Sequence, residues 1–391
     1  MPFIKLTRKI SNIYRLPLLV LTTLVIVLFF GLYPKKWTST NNIQRLSEPN
    51  SLNFRFPSMA YVTDLSSLFN SQNLNEFTIQ LPVVPANIDK HGFRPILMIH
   101  NGDDRHQLTV WQWGTSVIVM NGNDYDYSMR SPRISWEDAL TAGEESLITI
   151  TSSKRGSHLF INGQLVKEAQ NLKLTIPNAH KKLRLILGNS VYGKHSWEGA
   201  IYGLLLNSQA LSTEKVTYYY KQWIHQRDLS CNSSDGPMLL YTFNEYENTR
   251  IQDDTGHNQP LELPERLVIL KKTFLSFSWH QFRPNLSFLF DAVINLIGFI
   301  PVGAVMCYWS SQSRSLPRKF EVKLILAFCF FLSLSIEIIQ VWLPYRHSSI
   351  LDLTLNTLGA WLGILLFQML NTSLKNKSTA RNKEEGGTRV S

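Results

Sequence analysis

DAVINLIGFIPVG (residues 291–303) and DLTLNTLGAWLG (residues 352–363) share one pattern: an acid, an amide four residues on, and a glycine three further, within otherwise apolar runs. Spacings of four and three place the acid, amide and glycine of each copy along one helix face. Between the copies, Glu337 and Gln340 stand three apart in another apolar run and share a face as well. The three runs, residues 286–309, 323–343 and 350–370, each come close to the roughly 20 residues that a helix needs to cross a bilayer. An ionised carboxyl near the bilayer centre costs at least about 2.5–3.5 kcal/mol by insertion scales, so these polar side chains are expected to face the bundle rather than lipid.

Working outward, residues 16–33 form a fourth apolar run, preceded by Lys5, Arg8, Lys9 and Arg15. It exceeds the about 7–15 residues of a signal-peptide core, and Lys35, Lys36 and Trp37 follow it where a small-residue cleavage site would stand, so it reads as an uncleaved anchor. Arg314, Arg318 and Lys319 follow the second span, and Lys375, Lys377, Arg381 and Lys383 follow the fourth, which marks both segments as cytoplasmic. The expectation is a multi-pass protein of the bacterial cytoplasmic (inner) membrane. It has four spans and both termini inside, with residues from about 37 to 285 outside. At about 1.5 Å per residue, Asp291, Asn295, Glu337, Asp352 and Asn356 then fall in the outer half of the bilayer. Arg346 and His347, in the short outer turn, add a cation and an imidazole.

This predicts an outward-opening intramembrane pocket of Asp291, Asn295, Glu337, Gln340, Arg346, Asp352 and Asn356. Gly298, Pro301, Gly303, Gly359 and Gly363 are expected to serve helix packing or a kink. The plainer alternative is that the amides and acids clamp helices together by interhelical hydrogen bonds, with Gly359-x-x-x-Gly363 allowing close approach.

At 391 residues the chain exceeds what one hydrophobic core usually supports. Its mean hydropathy of −0.08 averages over lipid-grade runs and a polar middle. Lys and Arg exceed Asp and Glu by 39 to 29, but the excess lies beside the apolar runs rather than along one stripe, which argues against a nucleic-acid partner. Three cysteines occur; Cys307 and Cys329 sit in apolar runs, and Cys231 is alone in the polar region, so neither a disulfide framework nor a zinc pattern is available.

The middle of the chain reads as β-structure. Short alternating runs at residues 76–84, 95–100, 107–113, 115–120, 147–151, 158–161 and 182–187 are separated by turns such as Asn101-Gly102, Asn121-Gly122 and Asn162-Gly163. Many strands at short spacing predict a sandwich. The segment at 239–265 looks able to complete it. The stretch at 261–280 mixes basic and apolar residues and reads either as an interfacial segment or as a linker. From residue 371 the polar tail is expected to be disordered. The fold class is therefore multi-domain: an all-β sandwich (37–270), an anchor (1–36), a three-helix membrane domain (271–370) and a tail (371–391).

Two family resemblances follow from quoted residues. HLFINGQLV (158–166), LRLILGNS (183–190) and SWEGAIYGLLLNSQALSTEKV (196–216) resemble the laminin-G or concanavalin-like jelly-roll family over about residues 50–225. That resemblance implies a domain that binds sugar, sometimes with calcium. The residues themselves favour neither a metal nor a hydrolase. Asp103, Asp104, Asp124, Asp126, Asp253 and Asp254 come two to a turn, against the about six to eight oxygens that calcium takes. No paired acidic strand motif of a glycosidase is present. Trp111 and Trp113 share one strand face and are expected in a core. No cofactor is expected.

The late segment, about 265–370, resembles the VanZ-like family. The features that carry this are the acid-x-x-x-Asn opening (Asp291, Asn295), IP-x-G (Pro301, Gly303), E-x-x-Q (Glu337, Gln340), the Arg346 turn, and the closing D-x-x-x-N-x-x-G (Asp352, Asn356, Gly359) with Gly363. The family is associated with glycopeptide resistance of the teicoplanin type. Three functional readings stand. The first is a pocket that handles a membrane lipid headgroup or lipid-linked envelope precursor, with the sandwich contacting glycan or an envelope protein. The second is a non-catalytic scaffold or sensor for envelope polysaccharide assembly. The third, last because no nucleophile motif or phosphate loop exists, is a membrane enzyme with carboxylate acid/base chemistry.

Overall fold

The computed structural model describes every residue except 1, 34–38, 48–49, 70–75, 90–91, 123–130, 179–181, 194, 230–231, 245–248, 272–273, 276–285, 314–316, 344–347 and 388–391. The chain divides into two compact units: Thr38–Lys271, and Met1–Trp37 together with Lys272–Ser391.

The first unit is an antiparallel β-sandwich, and among the described residues its two sheets have nine and eight strands. Alternation builds its core. In strand Phe77–Pro85, Phe77, Ile79, Leu81 and Val83 point between the sheets, and register with the neighbouring strand pairs Ile79 with Ile150 and Leu81 with Ile148. In the second sheet Leu97, Ile99, Leu108, Val110, Val117 and Val119 do the same. The segment at 239–265 joins both sheets: Pro237–Tyr241 pairs with Leu204–Asn207, while Leu261–Glu262 pairs with Arg250–Ile251 and meets Tyr61.

Both outer faces are covered too. On the nine-stranded sheet lies α3 (Thr213–Gln226), the successor in chain order of α1 (Pro2–Leu32) and the single-turn α2 (Ser66–Phe69). Val216 and Tyr219 pack on Phe160 and Leu211, and Trp223 packs on Leu147 and Leu229. On the eight-stranded sheet the alternate residues Met98, Trp111, Ile118, Met120 and Ile186 form a second apolar cluster with Met59, Phe93 and Val191. Trp111 is fully buried there, and Trp113 is partly buried against the same cluster, so the two tryptophans pack outside the inter-sheet core. Leu267 and Leu270 close this cluster, which makes the stretch up to Lys271 part of the sandwich rather than a free linker. The sandwich also ties its own ends together. The Asn41 N–H donates to the Glu265 carbonyl, the Leu267 N–H donates to the Ser39 carbonyl, and Thr40 bridges Arg266.

In the second unit α1 is joined by α4 (Leu286–Ser313), α5 (Arg318–Trp342) and α6 (Ile350–Gly387). Leu289–Gln312, Arg318–Trp342 and Ile350–Leu374 are long and apolar enough to cross a membrane, and Leu16–Leu32 is a shorter apolar stretch. α4 and α6 lie backbone to backbone. A Cβ added at Gly359 would sit 2.0 Å from the Leu296 carbonyl oxygen, one at Gly363 2.0 Å from that of Ile300, and one at Gly303 2.0 Å from that of Ala360. Because 296 meets 359 and 300 meets 363, the two helices run parallel and their matching acid-amide-glycine stripes stand nearly level. α5 runs antiparallel to α6, and the contacts from 333 to 356 and from 337 to 349 define that direction. α6 remains helical to Gly387, where a disordered tail is expected from 371. Residues 371–387 lack proline, and their Lys, Ala, Asn and Glu residues can extend a helix already nucleated by the span.

Candidate functional site

One face of α5 carries Ser333, Ile336, Glu337 and Gln340, all buried among neighbouring helices although three of the four are polar. Glu337 is only 1% exposed, and its Oε2 accepts a hydrogen bond from the Ser349 N–H at 2.8 Å. Ser349 is the residue just before α6, and its Oγ accepts from the Leu351 N–H at 3.2 Å. That arrangement is an N-cap: a hydroxyl satisfies a helix-start donor that has no intrahelical partner. Asp352 is half-buried in the first turn of the same helix. Glu337 and Asp352 therefore converge on the positive end of the α6 dipole, where negative charge is favoured.

The amides are used differently. Asn356 Nδ2 donates to Ser333 Oγ at 2.9 Å, a buried α6-to-α5 link. Gln340 Nε2 donates to the Gly31 carbonyl at 2.7 Å, satisfying a carbonyl in the last turn of α1 that has no N–H four residues ahead of it within the helix. Ser348 is fully buried and its Oγ accepts from the Leu275 N–H at 3.1 Å.

Of the sequence-predicted set, Glu337, Gln340, Asp352 and Asn356 stand on the packed faces or the starting turn of α5 and α6. Asn295 is half-buried and Asp291 is exposed on α4. Arg346 and His347 lie outside the described residues. Gly303, Gly359 and Gly363 make the α4–α6 contact, Gly298 has nothing within 4 Å, and Pro301 sits inside α4. Sequence reasoning missed Ser333, Ser348, Ser349 and the Gly31 carbonyl. Two signals were available: Ser333 lies four residues before Glu337 on the same face, and Ser349-x-x-Asp352 has the spacing of a capping box.

In the sandwich the acidic turns are engaged by protein donors. The Arg105 backbone N–H, with help from His106 and the Arg105 side chain, holds the Asp103 carboxyl well below its usual range. Burial works to raise the Asp104 carboxyl, but hydrogen bonds from His100, Tyr192 and Lys271 overcome it and leave it at about 2. His100 is itself buried; its Nδ1 accepts from the Gly102 N–H at 2.9 Å, so its Nε2 carries the proton donated to Asp104, also at 2.9 Å. Asp253 accepts from the N–H groups of Leu240 and Thr255, and Asp254 from the Thr242 hydroxyl and N–H. Asp124, Tyr125, Asp126, Tyr127 and Cys231 lie outside the described residues.

Residues 237–371 match the VanZ/LLP1 family model. The helical segment is a VanZ-like domain. The VanZ-like match begins at Pro237 and ends at residue 371, so it takes in the closing strands of the sandwich together with α4, α5 and the first part of α6. No curated protein matches the sequence. Among solved structures, a candidate carbohydrate binding protein from Bacteroides ovatus is similar at 13% identity and a TM-score of 0.40. It covers 56% of this chain and 61% of its own length. The IT-sialidase CBM40 of Ruminococcus gnavus, bound to alpha2,3 sialyllactose, is similar at 13% identity and a TM-score of 0.35, over 46% of this chain and 98% of its own. A Trypanosoma rangeli sialidase is similar at 14% identity and a TM-score of 0.36, over 48% of this chain and 29% of its own. The strand pairing itself defines the sandwich beside the VanZ-like membrane domain.

Proposed function

We propose that the protein spans the bacterial cytoplasmic membrane four times with both termini inside and holds its sandwich outside. In this reading the Glu337–Asp352 end of α6 handles the polar headgroup of a membrane lipid or lipid-linked envelope precursor, while the sandwich contacts glycan or an envelope protein. The single observation that carries the proposal is a carboxylate 1% exposed inside a bundle of apolar helices, hydrogen-bonded to the start of α6 with a second acid one turn away. Packing alone is served by small residues and single amides, whereas ionisable groups inside spans usually mark function. Two acids over a helix N-terminus can take a proton or a cation in exchange between them, and the amides at Gln340 and Asn356 fix the helices that carry them.

The test is Glu337→Gln in cells with protein level matched to wild type. The expected outcome is altered lipid-linked precursor levels and altered susceptibility to glycopeptides. Unchanged precursor and susceptibility would remove the proposal. A second reading, a non-catalytic scaffold, is favoured by the described hydrogen bonds of Glu337, Gln340 and Asn356, each of which ends on another atom of this chain. Under that reading Glu337→Gln lowers the melting temperature and leaves precursor levels alone, while the isolated sandwich binds a glycan array.

A further inference from the structure

At 1% exposure Glu337 meets no headgroup unless a neighbouring element moves. The helices around it are firmly joined. Asn356 on α6 is bonded to Ser333 on α5, Gln340 holds the last turn of α1, and glycines bring the α4 and α6 backbones together. The short stretch Phe274 and Leu275, ahead of α4, is held differently. Leu275 donates its backbone N–H to Ser348 Oγ at 3.1 Å. Ser348 is fully buried and directly precedes Ser349, whose own N–H is donated to Glu337. Leu275 stands at φ 45°, in the left-handed region that leucine rarely adopts, so its contacts hold the backbone there against a local cost. Leu275 is half-buried and Phe274 beside it is 53% exposed, so little apolar packing fixes the stretch on that side.

We propose that Phe274 and Leu275 form a latch over the Glu337 niche, regulating access to the site described under the proposed function and resting on that reading of it. In the closed state the Leu275 N–H on Ser348 Oγ keeps the Ser348–Ser349 turn against Glu337. In the open state that bond breaks, the turn withdraws, and the Ser349 N–H leaves the carboxylate free to meet a headgroup. The energetic balance suits a switch. One net hydrogen bond works against the cost of a left-handed leucine, so the two states differ little in free energy and a ligand that contacts Glu337 can shift the population. A latch built on backbone N–H and a serine hydroxyl can open without disturbing the α4–α6 glycine contact or the Asn356–Ser333 link, which keep the bundle assembled.

The experiment is hydrogen–deuterium exchange of the full-length protein in mild detergent, read by mass spectrometry on peptides covering residues 343–353, with residues 325–333 of α5 as the reference. The Ser349 N–H exchanges only when its bond to Glu337 opens, so the turn reports the latch directly. Ser348→Ala removes the acceptor and Leu275→Pro removes the donor. Each should speed exchange of the turn by about threefold to tenfold, the scale of one net hydrogen bond, and the two together should go no further than either alone. Leu275→Asn keeps the N–H and tolerates the left-handed region, so it should exchange at the wild-type rate. An unchanged turn in Ser348→Ala would overturn the latch, as would additive effects of the two variants or an equal rise in the reference peptide. Exchange is independent of precursor levels: if Glu337→Gln leaves precursor unchanged, the headgroup reading falls while the latch is judged by these rates alone.

Discussion

Asp104 ties a loop to the end of its domain. One carboxylate receives His100 Nε2, the Tyr192 hydroxyl and Lys271 Nζ, and Lys271 also donates to the Gly102 carbonyl at 3.1 Å. Its lowered pKa makes the tie pH-dependent in a definite sense. The folded value of about 2 lies below the unfolded value near 3.9, so the stabilisation is complete above about pH 4 and is lost as pH falls toward 2. Asp104→Asn should cost about 1–2 kcal/mol at pH 7, after discount for partial solvent exposure, and almost nothing near pH 2. Urea unfolding of residues 38–271 at the two pH values measures this. At this scale the sequence was readable where a residue type was out of place. Glu337, Gln340, Asp352 and Asn356 stand out because they interrupt apolar runs. Ser333, Ser348 and Ser349 did not, since a hydroxyl is common in membrane helices and turns, and the Gly31 carbonyl belongs to a backbone that every residue possesses.

At the scale of elements, the two acid-amide-glycine copies look alike in sequence and behave differently in packing. On α6 the glycine receives the α4 backbone and the amide reaches Ser333; on α4 the matching Gly298 has nothing within 4 Å and Asp291 is exposed. Periodicity gives the face a residue occupies but not which neighbour, if any, covers it. The contrast is measurable. Gly303→Ala would place a carbon 2.0 Å from the Ala360 carbonyl oxygen and should cost at least about 1–3 kcal/mol by forcing α4 from α6. Gly298→Ala should be neutral or stabilising by up to about 1 kcal/mol through helix propensity. Melting curves of the two variants in detergent separate these outcomes. The same limit applies to the eight-stranded sheet. Alternation correctly put Trp111 and Trp113 on one face, yet whether that face was the inter-sheet core depended on Leu267 and Leu270, which are distant in sequence.

At the scale of the whole molecule, hydropathy and turn chemistry made the division into sandwich and bundle legible, because a polar stretch of alternating strands and a set of lipid-length runs differ in period and composition. The closing boundary was harder, since 261–271 is apolar and basic enough to pass for an interfacial segment while it is in fact stitched to the sheet. The proposed membrane sidedness rests on charge alone and is checked with cysteines placed in a background where Cys231, Cys307 and Cys329 are replaced by serine. Tyr218→Cys, on an exposed site of α3, should react with a membrane-impermeant maleimide in intact cells, and Lys319→Cys only after permeabilisation. The reverse pattern would invert the topology and move the Glu337 niche to the other leaflet.

The pairing of Ser39, Thr40 and Asn41 with Glu265, Arg266 and Leu267 gives the sandwich a single doorway. A module whose entry and exit strands are already stapled side by side can be lifted out or grafted into a surface hairpin of an unrelated host without parting its sheets. Lineages could therefore gain, lose or exchange it as a cassette between two helices.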